Sequence, residues 1–231
     1  MKVLARKKVV LVIVEGASDS TALEFLFDKV FDKDLVHVRI MHCDITTENG
    51  ASPSNILSRI GNIVKGEGDR NHFTRKHLKE VIHIVDMDGA YVDDVYIEED
   101  PELESVVYSE NWIKTNKRDS IIKRNEQKRG VLNKICETAT VYNGVPYSVY
   151  YMSCNLDHVL FDKMNCTDEE KENKSYAFAK EYKENIDECV NFFSKSKFSV
   201  RESYGNSWKY IKEGKHSLER HTNVGICLTK S

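Results

Sequence analysis

The stretch VVLVIVEGASDSTALEFLF, residues 9–27, decides the fold. Val9 to Val14 is an unbroken run of β-favouring apolar residues, as in a strand covered on both faces. It ends on one carboxylate, Glu15, and then Gly16. Ser18, Asp19 and Ser20 carry side-chain oxygens that can cap a helix. Ala22, Leu23, Leu26, Phe27 and Val30 set an apolar stripe along it. Why a buried strand should end on an acid and a glycine is the question the chain raises. VIHIVDMDG, residues 81–89, raises it again, an apolar run closing on Asp86 and Asp88 before Gly89.

Working outward, VHVRIMH (36–42) reads as a second strand. Ser52 followed by Pro53 predicts a helix start, a capping hydroxyl and then a residue whose missing N–H costs nothing in the first turn. Ile56, Leu57, Ile60, Ile63 and Val64 form the inner face of that helix, and residues 65–70 read as a polar turn. Residues 80–86 are the third strand. Strand, helix, strand, helix, strand at this spacing predicts right-handed βαβ units and a parallel sheet. Ligands bind such sheets beyond the carboxyl ends of the strands. Glu15 and the Asp86/Asp88 pair both fall there, at one edge. Strand alternation would point Asp86 and Asp88 the same way. The glycines would let the chain turn sharply and let backbone approach a ligand.

Beyond Gly89 the pattern changes. Residues 90–116 hold the acidic block EEDPELE (98–104) among aromatics, and KRDSIIKRNEQKR (117–129) reads as a basic helix that residues 131–139 extend. Residues 145–152 form a fourth strand, with Tyr147, Val149 and Tyr151 alternating. Asn155-Leu156-Asp157-His158 opens a short helix to about residue 164. One long polar helix covers about 168–195, its acidic start suiting a helix N-terminus. The expected architecture is α/β, a parallel four-stranded sheet flanked by helices and built from about 8–90 and 145–165. A mainly helical insertion over about 90–144 and a helical C-terminal part over about 168–231 complete a single domain.

The 231 residues, 40% hydrophobic and 31% charged, suit a globular domain. A net charge of −3 excludes a global basic field. The longest apolar run is far short of the roughly 20 residues that cross a bilayer, so no membrane partner is expected. Six cysteines, at 43, 136, 154, 166, 189 and 227, form no CxxC pair, which argues against a zinc ribbon. Residues 1–6 run into the first strand with no leader pattern. The cysteines therefore read as reduced thiols of a cytoplasmic protein.

Carboxylates crowded at a strand edge repel one another, and one stays protonated unless a cation is near. A hard cation such as Mg²⁺, or Mn²⁺ in its place, takes oxygen ligands and keeps waters for substrate phosphates. So held, it can polarise a phosphoryl oxygen and stabilise a leaving one. Glu15 could ligate the metal or act as a general base.

Val14-Glu15-Gly16-Ala17-Ser18-Asp19 and Val85-Asp86-Met87-Asp88-Gly89 resemble, in that order and on those elements, the two motifs of the Toprim domain. These are a glutamate after the first strand in a VEGxxD-like pattern and an Asp-x-Asp after a later strand. The likeness covers roughly residues 8–90. Asn155-Leu156-Asp157-His158-Val159-Leu160 is similar to the (N/D)-(L/I)-E-x-(V/Y)-L pattern of OLD-type and stand-alone phage-defence nucleases, with aspartate in place of glutamate. The resemblance implies a Toprim-like (Rossmann-like) fold and a metal-dependent nuclease. It implies Mg²⁺ or Mn²⁺ held by Glu15, Asp86, Asp88 and Asp157, with Glu15, Asp86 and Asp88 catalytic. It also implies a lysine in the C-terminal part that stabilises the transition state. Lys209, Lys212 and Lys215 are candidates, and Lys215 is preferred. The chain contains no GxxxxGK[ST] phosphate loop. The resemblance therefore points to a stand-alone anti-phage effector working with a separate ABC-type ATPase partner, and a homodimer is compatible with it.

Lys117, Arg118, Lys123, Arg124, Lys128 and Arg129 could neutralise phosphates of DNA or RNA, tRNA included. The alternative is a solvated helix face. Trp112, Trp208 and Tyr210 could stack on bases or pack inside. His158 has both a functional and a structural reading. Two further functions stay open. One is a non-catalytic Toprim-like sensor or binding protein. The other is a haloacid-dehalogenase-like phosphatase with Asp86 as nucleophile. IHIVDMDGAY also resembles that family's DxDG motif, here roughly 80 residues into the chain and continuing Ala90-Tyr91.

Overall fold

The computed structural model describes residues 7–31 and 36–229. Residues 1–6, on which the reading of no leader rests, lie outside the described residues. The apolar runs become Lys8–Val14 (β1), Val36–His42 (β2) and Leu78–Asp86 (β3), joined by helices Ala17–Val30 (α1) and Ile56–Asn71 (α2). The insertion supplies Ile97–Glu99 (β4), Val107–Tyr108 (β5), Ile113–Thr115 (β6), the helix Arg118–Cys136 (α3) and Thr140–Val141 (β7). Val145–Ser153 (β8) is the fourth long strand. It is followed by helices Leu156–Phe161 (α4), Asp168–Tyr182 (α5), Ile186–Lys195 (α6) and Tyr204–Ile211 (α7), strand His221–Thr222 (β9) and helix Val224–Leu228 (α8).

The four expected strands pair in parallel in the order β2-β1-β3-β8. The sheet has six strands rather than four, because β7 and β9 add antiparallel to β8, at its two ends. Between them the Tyr151 N–H donates to Asn223 Oδ1 at 2.8 Å and the Val149 N–H to the Tyr204 hydroxyl at 3.3 Å. An edge that would present unpaired amides to solvent is thereby covered.

Strand alternation sorts the core into two layers. Leu11, Ile13, Val81, Val85, Val149 and Tyr151 face α2 and α3. Val10, Val12, Val14, Ile82, Ile84 and Met152 face α1, α4, α5 and α6. A third apolar cluster, Val92, Ile97, Ile113, Ile121, Cys154 and Leu218, seats the insertion on the end of the sheet.

Three further expectations are corrected. The insertion is not mainly helical: ahead of α3 it holds a small sheet in the order β4-β6-β5. The single polar helix breaks into α5 and α6, since Asn185 leaves helical geometry and its side chain accepts the Glu188 N–H, starting a new helix. Residues 65–70 are helical rather than a turn, because Glu67 turns inward to Arg39 Nε at 3.3 Å and Asn71 Nδ2 at 2.7 Å. The helix ends at Asn71, capped by His72 in left-handed backbone, φ 57°. None of the six cysteines is in a disulfide. Among the described residues no helix is long and apolar enough to cross a membrane.

His83 sits in the middle of β3 with no exposed surface, one ring nitrogen bonded to the Tyr147 hydroxyl at 2.8 Å and Nε2 unpartnered. Burial pushes its pKa down to about 3, from about 6.5 in the unfolded chain. The stability tied to a neutral His83 is therefore complete above pH 6.5 and drains away as pH falls toward 3. Between pH 7 and pH 5 the loss is about 2 kcal/mol. Denaturant melts at both pH values should show this extra loss in the wild type and not in His83→Gln; equal slopes would refute it.

Candidate functional site

Two residues beyond Ile13, Glu15 keeps that residue's direction and enters the α3 side of the sheet. There its Oε1 accepts from the Thr46 hydroxyl at 3.3 Å and its Oε2 lies 3.5 Å from the ammonium of Lys128. Asp86 follows Ile82 and Ile84 to the opposite side, where its Oδ1 accepts the Leu156 N–H at 2.9 Å, at the start of α4. Asp88 lies past the strand in left-handed backbone, φ 49°, and its carboxylate bonds Lys128 Nζ at 2.5 Å. Asp86 and Asp88 are therefore anchored to different elements. The expected common direction fails because the chain leaves strand geometry between them.

The Asp88 turn is fixed from three sides. The Asp88 N–H donates to Cys154 O at 2.8 Å, and the Gly89 N–H to Ser217 O at 3.0 Å. Arg124 of α3 donates to Asp88 O at 2.9 Å and to the Tyr108 hydroxyl at 2.5 Å, and Asn125 Nδ2 reaches Gly89 O at 3.2 Å. Gly89 has φ 67°, and a Cβ there would meet Leu218 Cδ2 at 2.7 Å. Only glycine fits that turn. Gly16 has a different use. It caps α1 from extended backbone, φ −124°, and its N–H donates to Asp19 Oδ2 at 2.9 Å.

Two more acids join the cluster. Asp19 is buried, and Asp44, just after β2, accepts from the Thr46 and Thr47 hydroxyls. Burial raises the Glu15 carboxyl, Lys128 lowers it, and Asp44, Asp88 and Asp19 raise it again, leaving it near 8. Asp86 is held well above the usual carboxylate range by burial and by the charges of Glu15, Asp19 and Asp88. Burial also raises Asp19, whereas for Asp44 it is outweighed by Lys128 and the threonine hydrogen bonds. Burial thus outweighs the cations that reach these acids, Lys128 at Glu15 and Asp86 and Lys171 at Asp19.

Lys128 was expected in a phosphate-binding patch with Lys123, Arg124 and Arg129. It has no exposed surface, and Arg124 bonds Asp88 and Tyr108; of the other basic residues read with it, Lys117 and Lys123 are exposed, Arg129 is half-buried, and Arg118 donates to the carbonyls of Ile97 and Asp94. Its position was signalled in the sequence: Ile121, Asn125, Lys128, Leu132 and Ile135 lie on one helical stripe, all buried.

Lys215 does not join the acids. Its ammonium donates to Asn111 and lies 5.5 Å from the centre of the Tyr96 ring. Lys212 points to Cys136 Sγ at 3.6 Å, and Lys209 is exposed. Asp157 is buried with Oδ1 unpartnered. Burial raises it to about 6 against the pull of Lys171, and Asp19 adds to the rise. His158 is structural: its Nδ1 accepts the Cys154 N–H at 3.0 Å. Trp208 is core, with its N–H on Val149 O at 3.2 Å and its ring 5.3 Å from that of Tyr151. Tyr210 stacks on His216 at 4.0 Å, and Trp112 lies under Lys114 at 4.7 Å.

Among the described residues no three histidine, cysteine, aspartate or glutamate side chains form a ready-made metal cage. The chemistry of the set nevertheless fits a hard divalent cation. The donors are all carboxylate oxygens, desolvated, mutually repelling and short of positive charge, with one Asp157 oxygen left without a partner. No family model matches the chain, and no curated protein or solved structure matches it either.

Proposed function

We propose that the chain is a Toprim-like, metal-dependent nuclease that hydrolyses phosphodiester bonds in DNA or RNA. What supports this reading is that Glu15, Asp86 and Asp88 all lie at the carboxyl edge of a parallel sheet, where Lys128 bonds both Glu15 and Asp88 and burial, with the charges of their neighbours, holds Glu15 and Asp86 above the ordinary carboxylate range. Glu15, Asp86, Asp88 and Asp157 would hold Mg²⁺ or Mn²⁺. The bound ion supplies Lewis-acid stabilisation of charge on the phosphoryl and leaving oxygens. The chain's own part is positional. Leu156 N–H orients Asp86, Arg124 and Ser217 hold the Asp88 turn, and Thr46 orients Glu15. The likeness of Asn155-Leu156-Asp157-His158-Val159-Leu160 to the pattern of OLD-type and stand-alone phage-defence nucleases supports a cytoplasmic anti-phage effector that acts with a separate ABC-type ATPase partner.

The test is cleavage of plasmid DNA and of total RNA, tRNA included, with Mg²⁺, with Mn²⁺ and with EDTA. Metal-dependent cutting lost in Glu15→Gln is expected. Cutting that survives EDTA or Glu15→Gln would overturn the reading, and metal binding without cutting would favour a non-catalytic binder. Since Lys215 lies with Asn111 and Tyr96, Lys215→Ala should retain cleavage within roughly threefold of wild type. A loss on the order of 10²-fold would return the catalytic lysine to the C-terminal part.

A further inference from the structure

The ammonium of Lys128 engages the same two carboxylates, Glu15 at 3.5 Å and Asp88 at 2.5 Å, that the metal-dependent reading gives to the cation. A lysine with no exposed surface is rare unless paired. Here the pairing partners are acids that one positive charge does not neutralise. We propose that Lys128 is a tethered cation that occupies the metal's carboxylates until a divalent ion arrives, so that metal loading and the seating of α3 compete. This rests on the metal-dependent reading above.

The physical basis is the shared lone pairs. An ammonium is a compact donor-only charge and neutralises carboxylates much as a hard ion does, with half the charge. Oxygens that close on a divalent ion at about 2.0–2.6 Å have less to offer a neighbouring ammonium, and the two like charges repel. Metal loading therefore pushes Lys128 away from Asp88.

The consequence reaches beyond one side chain, because α3 holds both loops of the site. Arg124 and Asn125 bond the carbonyls of Asp88 and Gly89, and Gln127 bonds those of Thr46 and Glu48. A helix from the insertion is thus the element that responds to the state of the metal site.

The experiment titrates Mg²⁺ or Ca²⁺ into wild type and Lys128→Met by calorimetry, with thermal unfolding alongside and no nucleic acid present. Methionine keeps the length and apolar stem of the lysine. Lys128→Met should melt below wild type in EDTA, bind the ion roughly tenfold tighter, and gain more Tm than wild type on saturation. Equal or weaker binding in Lys128→Met, with wild type still binding, overturns the tethered cation and leaves the nuclease reading intact. No binding in either protein overturns both. Should Lys128→Met fail to fold, amine-reactive labelling of wild type decides. Lys128 should be protected in EDTA and labelled at saturating metal, and protection that persists with metal bound overturns the proposal.

Discussion

Asp86→Asn is expected to cut metal-dependent cleavage on the order of 10³-fold, equivalent to about 4 kcal/mol of transition-state stabilisation, while leaving the fold intact or more stable. Asparagine keeps an oxygen for the Leu156 N–H, so the 2.9 Å bond to α4 survives and no buried amide is orphaned. What is lost is the charge and with it a hard ligand. The same change removes one of the acids that raise each other's pKa. A carboxylate cluster that is costly without metal should therefore be relieved, and Tm in EDTA should stay level or rise. Activity and stability moving in opposite directions is the signature of a functional acid. Cleavage within tenfold of wild type, or a Tm drop of more than a few degrees, would sink the assignment of Asp86.

Gly89→Ala should destabilise the protein by roughly 2–4 kcal/mol. Two costs add. The backbone at φ 67° is left-handed, and the new methyl would stand 2.7 Å from Leu218 Cδ2 and 2.9 Å from Ile113 Cδ1. Neither partner has anywhere to go, since both belong to the buried cluster that seats the insertion. For a chain of this size the shift corresponds to a Tm fall of roughly 5–15 °C. Asp88 precedes the strained residue, so cleavage should fall even under conditions where the variant is folded. Urea unfolding of both proteins measures the first effect. A change below about 1 kcal/mol would mean that the turn relaxes at no cost.

The parallel sheet was legible because each of its four strands announces itself locally. Val9 to Val14 and Val81 to Val85 are apolar runs, and helical stripes fill the intervals between strands. The strand-end carboxylates were legible for the same reason, since Glu15 and Asp86 close parallel strands; that β1 and β3 are neighbours, which brings both to one edge, came from the sheet order. The extra strands β7 and β9 were not legible. Two-residue strands carry no periodicity, and they exist only because β8 needs its outer edge covered. The small sheet of the insertion failed for a like reason, its strands being two or three residues long. The break between α5 and α6 rests on one asparagine, whose capping role reads like any polar helix residue until its neighbours are placed.

The site divides along the same line. Residue type, spacing and alternation determined where Glu15 and Asp86 emerge, because the period of a strand is local and strict. Asp88 escaped that logic once its backbone turned left-handed. Tertiary structure alone decided which cation meets the acids. Lys128 lies 113 residues from Glu15 and 40 from Asp88, and no local pattern spans such separations. Its place on the Ile121–Ile135 stripe turns Lys128 inward, but nothing local names the acids it meets. It becomes the counter-charge of the cluster only when α3 packs its Ile121–Ile135 stripe against the sheet, carrying the ammonium to the one place where desolvated carboxylates can offset the cost of burying it.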